Sequence, residues 1–209
     1  MKRLSGLVLA VAIVLGATPS YAQVSGGVLG GVNFSKGNVS GEDATGVETE
    51  FQTGLIVGGF LNLPLSSTVS IMPEVAYSQK PFKLVFADGS DEFSQKIVAD
   101  FLSIPVLFKF GPQEGGFYFV AGPGLNFRTK AEAKDSEFNG QPVPEEDVDL
   151  DDETESFDFS LIAGAGWAKG NFGFEGRYDH GLTNLNKDET EDFEVKTRTF
   201  TFVVKIWFK

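Results

Sequence analysis

From residue 23 onward the chain alternates apolar and polar residues with a period of two in almost every apolar segment, and helical periodicity is missing. The final segment shows it best. Across 199–208 the even positions Phe200, Phe202, Val204, Ile206 and Phe208 are apolar, while the odd ones include Thr199, Thr201 and Lys205. The same test marks seven further segments, at about 24–36, 51–65, 68–80, 96–110, 116–130, 156–168 and 171–182. In the second, Phe51, Leu55, Val57, Leu61 and Leu63 oppose Gln52, Gly54, Gly58 and Asn62; in the fifth, Phe117, Phe119, Leu125 and Phe127 oppose Tyr118, Gly122, Gly124 and Asn126. An all-β chain of eight strands is predicted.

The connections carry a second signal, because they alternate between short and long. Tight turns at Ser66-Ser67, 111–115 and Lys169-Gly170 join strands two to three, four to five and six to seven. The other connections run to roughly 13 to 26 residues, well beyond hairpin length. An even number of antiparallel strands with short turns at one end and long loops at the other is the pattern of an eight-stranded antiparallel up-and-down transmembrane β-barrel, its short end toward the periplasm.

Alternation alone does not say which face is buried, since a soluble lipocalin-like ligand carrier alternates too, apolar face inward. The polar face here is rich in Gly, Ala, Ser and Asn with few charges, which suits a narrow interior better than a solvated exterior. Aromatics on the apolar face cluster toward strand ends. Phe117, Phe119, Phe157, Phe159, Phe172, Phe174, Phe200 and Phe202 are set against Phe127, Trp167, Tyr178 and Phe208 at opposite ends, as two interfacial girdles would be. An open edge in lipid would leave backbone N–H and C=O groups unpaired, so the last strand is expected to pair with the first, where Val24, Val28, Val32 and Phe34 share a phase.

The residues ahead of this region read as an address. Lys2 and Arg3, an apolar run from Leu7 to Ala17 and the small-x-small Ser20-Tyr21-Ala22 make residues 1–22 a cleaved signal peptide, too short in its apolar run for a membrane-spanning helix. Removing 22 of 209 residues leaves a 23–209 barrel domain of 187, and losing Lys2 and Arg3 moves the formal charge from −12 to −14. No Cys follows the cleavage site, so the chain is not a lipoprotein.

Composition removes several function classes. Without cysteine there is no disulfide framework, thiolate nucleophile or Cys-based metal site, and a single His excludes multi-histidine centres. The acidic balance argues against nucleic acid as a partner. No cofactor, metal or catalytic site is predicted.

Charges on the inward phase are the candidate site. Glu74, Arg128, Glu175, Arg177 and Lys205 combine two acids with three bases, with Lys109 on the same side, and a charge in a narrow lumen must be paired. They are expected to form a structural lumen charge network; a polar track or gate is the functional alternative. The connection 131–156 holds eleven acids against Lys130 and Lys134 and reads as a solvated acidic loop. Its Asp147-Val148-Asp149-Leu150-Asp151-Asp152-Glu153 offers hard oxygen ligands but lacks the glycine turn and spacing of an EF-hand. His180 could serve a surface hydrolase, yet Asp179 beside it would face the opposite way, and no nucleophile motif accompanies it. Gly26-Gly27 and Gly30-Gly31 lie in a strand and are not phosphate loops.

Several stretches, in order, resemble the bacterial outer-membrane β-barrel family that includes PorT. They are Gly31-Val32-Asn33-Phe34-Ser35, 72–80 (MPEVAYSQK), 102–109 (LSIPVLFK), Gly122-Pro123-Gly124 and 175–184 (EGRYDHGLTN). The resemblance spans nearly the whole mature chain. It implies an eight-stranded barrel in the outer membrane of a Gram-negative bacterium, with a subset of members tied to a secretion and gliding machinery. Barrels of this kind typically end on an aromatic residue, and here Lys209 follows Phe208.

The expected function is a non-enzymatic, monomeric integral outer-membrane protein with a structural or interaction role in the cell envelope. Outer-membrane lipid surrounds it, and its long loops are open to envelope protein partners. A secretion-system accessory subunit or narrow channel is the alternative, and the lipocalin-like carrier a lesser one.

Overall fold

A computed structural model of the chain describes residues 24–41, 46–88, 91–143, 148–150, 155–186 and 194–208. The signal segment lies outside them, as do residues 144–147 and 151–154 of the acidic connection.

The strands are β1 (Ser25–Ser40), β2 (Val47–Pro64), β3 (Val69–Gln79), β4 (Phe82–Asp88), β5 (Asp91–Phe110), β6 (Gly115–Phe138), β7 (Gln141–Pro142), β8 (Val148–Asp149), β9 (Phe157–Lys169), β10 (Phe172–Gly181) and β11 (Glu194–Phe208). Antiparallel pairing runs β1–β2–β3–β5–β6–β9–β10–β11 and returns to β1, in register from Gly26↔Phe208 to Ser40↔Glu194. The result is a closed eight-stranded ring. Period-two alternation builds it: within the ring, odd residues of β1, β10, β11 and of β5 from Ala99, and even residues of β3, β9, of β2 from Gln52 and of β6 as far as Arg128, turn inward and their neighbours outward; beyond that the phase of β6 shifts, with Ala131 and Ala133 buried.

Two sequence expectations are corrected. The long connections were expected to be loops, but much of them continues the sheet, since β5 and β6 go on pairing from Asp100↔Lys130 to Phe93↔Phe138, past the end of the clear alternation. β5 begins at Asp91 and β6 runs to Phe138, and the segment after β3 is strand β4. Pairing with β5 keeps one register through both pieces, Gln79↔Asp100 and then Phe82↔Ile97, so β3 and β4 are a single strand broken at Lys80-Pro81. Pro81 has no N–H for the ladder, and on the β2 side the pairing slips by one residue between Ile56↔Ser78 and Phe51↔Phe82. Gly54 makes room there, since a Cβ would meet Pro81 Cδ at 2.7 Å.

The second correction concerns the interior, expected to be small and polar. Leu29, Ile56, Phe60, Met72, Ala76, Leu107, Tyr118, Val120, Ile162, Ala168 and Val203 form an apolar cluster inside the ring, with Trp207 packed against it. Phe60 and Trp207 meet edge to face, centroids 5.1 Å apart. A ring of eight strands is just wide enough for its own side chains to fill.

Outside, most exposed aromatics fall into two belts, with Phe202 between them and Phe86 and Phe138 on the β4–β5–β6 extension. Phe108, Phe110, Phe117, Phe119, Trp167, Phe172, Phe174 and Phe208 stand near the short turns; Phe34, Phe51, Tyr77, Phe127, Phe157 and Phe200 stand toward the other end, with half-buried Tyr178 among them. Rings touch within each belt, Phe127 with Phe157 across the β6–β9 pair at 5.3 Å and Phe117 with Phe119 along β6 at 4.9 Å.

Gly31 tests the tightness of closure. A Cβ there would strike the Phe202 carbonyl oxygen and lie 2.8 Å from Val203 Cα, whereas one at outward-facing Gly30 would find its nearest neighbour at 4.0 Å. Gly31→Val is expected to destabilise the barrel by about 1–3 kcal/mol through overpacking, and Gly30→Val to leave it unchanged, in urea titrations of the folded fraction.

Candidate functional site

Four of the inward charges meet at mid-barrel, where β3, β10 and β11 supply them from different sides of the ring. Arg177 grips Glu74 with both terminal nitrogens, Nη1 to Oε2 and Nη2 to Oε1, each at 2.7 Å, and its Nε donates to Glu175. Lys205 Nζ donates to Glu74 Oε1 at 2.9 Å and Glu175 Oε2 at 3.0 Å, and sits 5.0 Å above the Phe60 ring. The set is a closed square: two carboxylates, two cations, formal charge zero, every edge bonded. Lys205 is fully buried and Glu74 is 1% exposed. Such burial is tolerated because each charge faces its opposite at hydrogen-bond distance and the arginine fork fits the carboxylate.

Arg128 is not in the square, contrary to the grouping drawn from the sequence. It has the inward phase but follows Asn126 toward the far end of β6, where its Nε donates to the Glu155 carbonyl at 3.1 Å. Phase gives the side of the sheet and not the height along the barrel. Lys109 lies lower, donating to the Pro112 carbonyl at 3.2 Å with its ammonium 5.2 Å from the Tyr118 ring.

A second buried charge group went unassigned in the sequence. Lys80 Nζ reaches Asp179 Oδ2 at 2.8 Å and Asp158 Oδ2 at 3.7 Å, with its ammonium 5.5 Å from the Phe101 ring. Asp158 also accepts from Asn126 and Thr197, both at 3.3 Å, and Asn126 accepts from Ser103 at 2.7 Å. Between the two groups lies an uncharged layer: Asn33 donates to Ser78 Oγ at 2.9 Å and to the Gln79 carbonyl at 2.8 Å, and accepts from Thr201 at 2.9 Å. Lys80 and Asp179 stood on the polar phase of their segments; Asp158 shares its phase with Ser160, the signal that could have found it.

His180 lies on the outer wall. Its Nδ1 is 3.2 Å from the Tyr178 hydroxyl, while Asp179 points inward to Lys80, so the adjacent carboxylate does not orient the ring. Among the described residues no group of three or more His, Cys, Asp or Glu side chains could hold a metal ion. Most of 145–153 lies outside them.

Above the barrel, the β4–β5–β6 extension is pinned by Lys83 to Glu137 at 2.8 Å. The hydrogen bond from Lys83 holds the Glu137 carboxyl below its ordinary range, and the same bond holds the Lys83 ammonium above its own.

A model of the family described as "Outer membrane protein beta-barrel domain" matches residues 20–187. No curated protein matches the chain significantly. Among solved structures, the attachment invasion locus protein Ail of Yersinia pestis is 14% identical, covering 89% of this chain and 99% of its own, at a TM-score of 0.44. Neisserial surface protein A is 12% identical, covering 88% and 98%, at 0.45. OprG of Pseudomonas aeruginosa is 10% identical, covering 88% and 94%, at 0.38.

Two outcomes follow from the charges. Glu74→Gln leaves Arg177 and Lys205 short of a counter-charge and is expected to cost about 3–5 kcal/mol in equilibrium unfolding, the penalty of an uncompensated buried charge. Because Glu137 is depressed in the folded chain, its contribution is present above the ordinary glutamate range and lost as pH falls through the folded value. Amide exchange protection in β4 should therefore drop in acid in the native chain, and Glu137→Gln should remove that step.

Proposed function

The chain belongs to the outer membrane protein beta-barrel domain family and lies in the outer membrane of a Gram-negative bacterium, and on that premise we propose a non-conducting, non-enzymatic envelope protein. Its barrel crosses the bilayer with the short turns toward the periplasm. Its extended strands and acidic connections face outward, where they serve a structural or interaction role. The motifs at 72–80 and 102–109 support a PorT-type member within the family.

The observation that carries this reading is the Glu74–Arg177–Glu175–Lys205 square, packed against Phe60 and Met72 inside the ring, with the Asn33 and Lys80 layers beyond it. An ion crossing the lumen would have to break buried charge-assisted bonds and leave charges unpaired, at several kcal/mol each. Among the described residues His180, the chain's one histidine, faces outward beside Tyr178, and the adjacent Asp179 is engaged with Lys80.

Two measurements test it. The membrane-extracted chain should show a heat-dependent shift in electrophoretic mobility, as closed barrels do. In planar bilayers it should give no sustained ion current, and Arg177→Ala with Lys205→Ala should raise leak events. A steady conductance from the native chain sinks the closed-lumen reading and favours the narrow channel.

A further inference from the structure

On the outer wall, one cross-strand row breaks the acidic character of the chain. Lys36 on β1 stands opposite Arg198 on β11, which stands opposite His180 on β10, all in the outward phase. The row beneath, in the same registers, is Phe34, Phe200 and Tyr178, part of the aromatic belt away from the short turns. Moving two residues up a strand tilted by about 45° raises the position about 5 Å along the membrane normal, from the belt to the headgroup level.

The two rows form one connected surface. Phe200 contacts Tyr178 at 5.1 Å between centroids and Phe51 at 6.0 Å. The Lys36 ammonium lies 5.4 Å from the Phe51 ring, and Arg198 Nη1 donates to the Tyr178 hydroxyl at 3.3 Å. These contacts hold both cations against the aromatic floor without neutralising them. Among the described residues neither Lys36 nor Arg198 has a carboxylate partner, and Arg198 Nε is buried with no hydrogen-bond acceptor. Lys196, one row higher, is bound to Glu194 at 2.5 Å. An arginine with spare donors beside a second cation, above an apolar floor, suits a phosphate group joined to acyl chains.

We propose that Lys36 and Arg198 bind the phosphate of a phosphorylated outer-leaflet lipid, with Phe51, Phe200 and Tyr178 packing beneath it. The site rests on the membrane orientation proposed above. It gives a chain of formal charge −12 one fixed cationic contact with an anionic leaflet.

The test uses the full-length mature chain in neutral detergent, titrated with a phosphorylated glycolipid and with its dephosphorylated form, occupancy being read by native mass spectrometry. The phosphorylated lipid is expected to bind at least tenfold more tightly. Lys36→Gln with Arg198→Gln should abolish that preference, Arg198→Lys should lose only part of it, and Lys83→Gln, on the extension, should keep it. Equal binding of the two lipids to the native chain overturns the proposal, as does an unchanged preference in the double variant. Displacement of the lipid by millimolar inorganic phosphate also overturns it, since that marks a plain anion site without the apolar floor. If the double variant fails to fold, the comparison of the two lipids on the native chain still decides. A native chain lacking heat-dependent mobility overturns the membrane barrel itself instead, a separate failure.

Discussion

Everything in this molecule depends on the ladder between β1 and β11. In hydrocarbon a strand edge has no water to bond, so a sheet survives there only if its first and last strands meet. The pairing from Gly26↔Phe208 to Ser40↔Glu194 supplies that closure, and the price is curvature. Eight strands make a tight ring, and tightness explains the bare backbone at Gly31, where the neighbouring strand passes too close for any side chain. Closure also fixes what the inward residues must do. Once the ring is shut, each of them is surrounded by the others, and the interior becomes a core with its own packing and charge balance.

That core is layered by chemistry. Asn62, Ser70 and Lys109 lie nearest the short turns; then comes the bonded square of Glu74, Arg177, Glu175 and Lys205, packed against Phe60 and Met72; then the amide and hydroxyl layer around Asn33; then Lys80 with its two aspartates. The charges are tolerable because they neutralise one another inside the ring. In the square each carboxylate sees two cations and each cation two carboxylates, so removal of any member exposes the remaining three. Buried ion pairs are weak evidence for stability, yet strong constraints on geometry. Here they tie β3, β10 and β11 across the lumen, strands that are not all neighbours in the sheet.

Alternation made much of this legible. Phe200, Phe202, Val204, Ile206 and Phe208 marked the apolar face of the last strand, and once the small, sparsely charged polar face was read as inward, phase assigned Glu74, Glu175, Arg177 and Lys205 to the interior. Phase is a two-valued signal, however, and it carries no height. Arg128 passed the same test and lies near the far end, beside Glu155, because nothing in one strand's parity reports where the neighbouring strand's register sets it. Ile56 and Phe60 fell on the polar phase of their segment, and a reading that equates inward with polar had no place for them. The strand beyond Lys80 was hidden differently: Pro81 breaks the hydrogen-bond ladder, and the chain resumes the same register on the β5 side after it.

The outer wall carries the complementary logic. Lumen charges are satisfied internally and cannot report on surroundings, whereas Lys36 and Arg198 face outward, above a belt of rings and without acidic partners among the described residues. Among the described residues, Glu48, Glu50, Asp91, Glu92 and Asp135 are exposed on the extended strands. Repulsion between those acids and an anionic leaflet would push the extended end away from the membrane surface, but the barrel is already anchored by its apolar wall. Cations at headgroup height are therefore unnecessary for insertion. Their physical consequence is local: they set which headgroup lies against β1, β10 and β11.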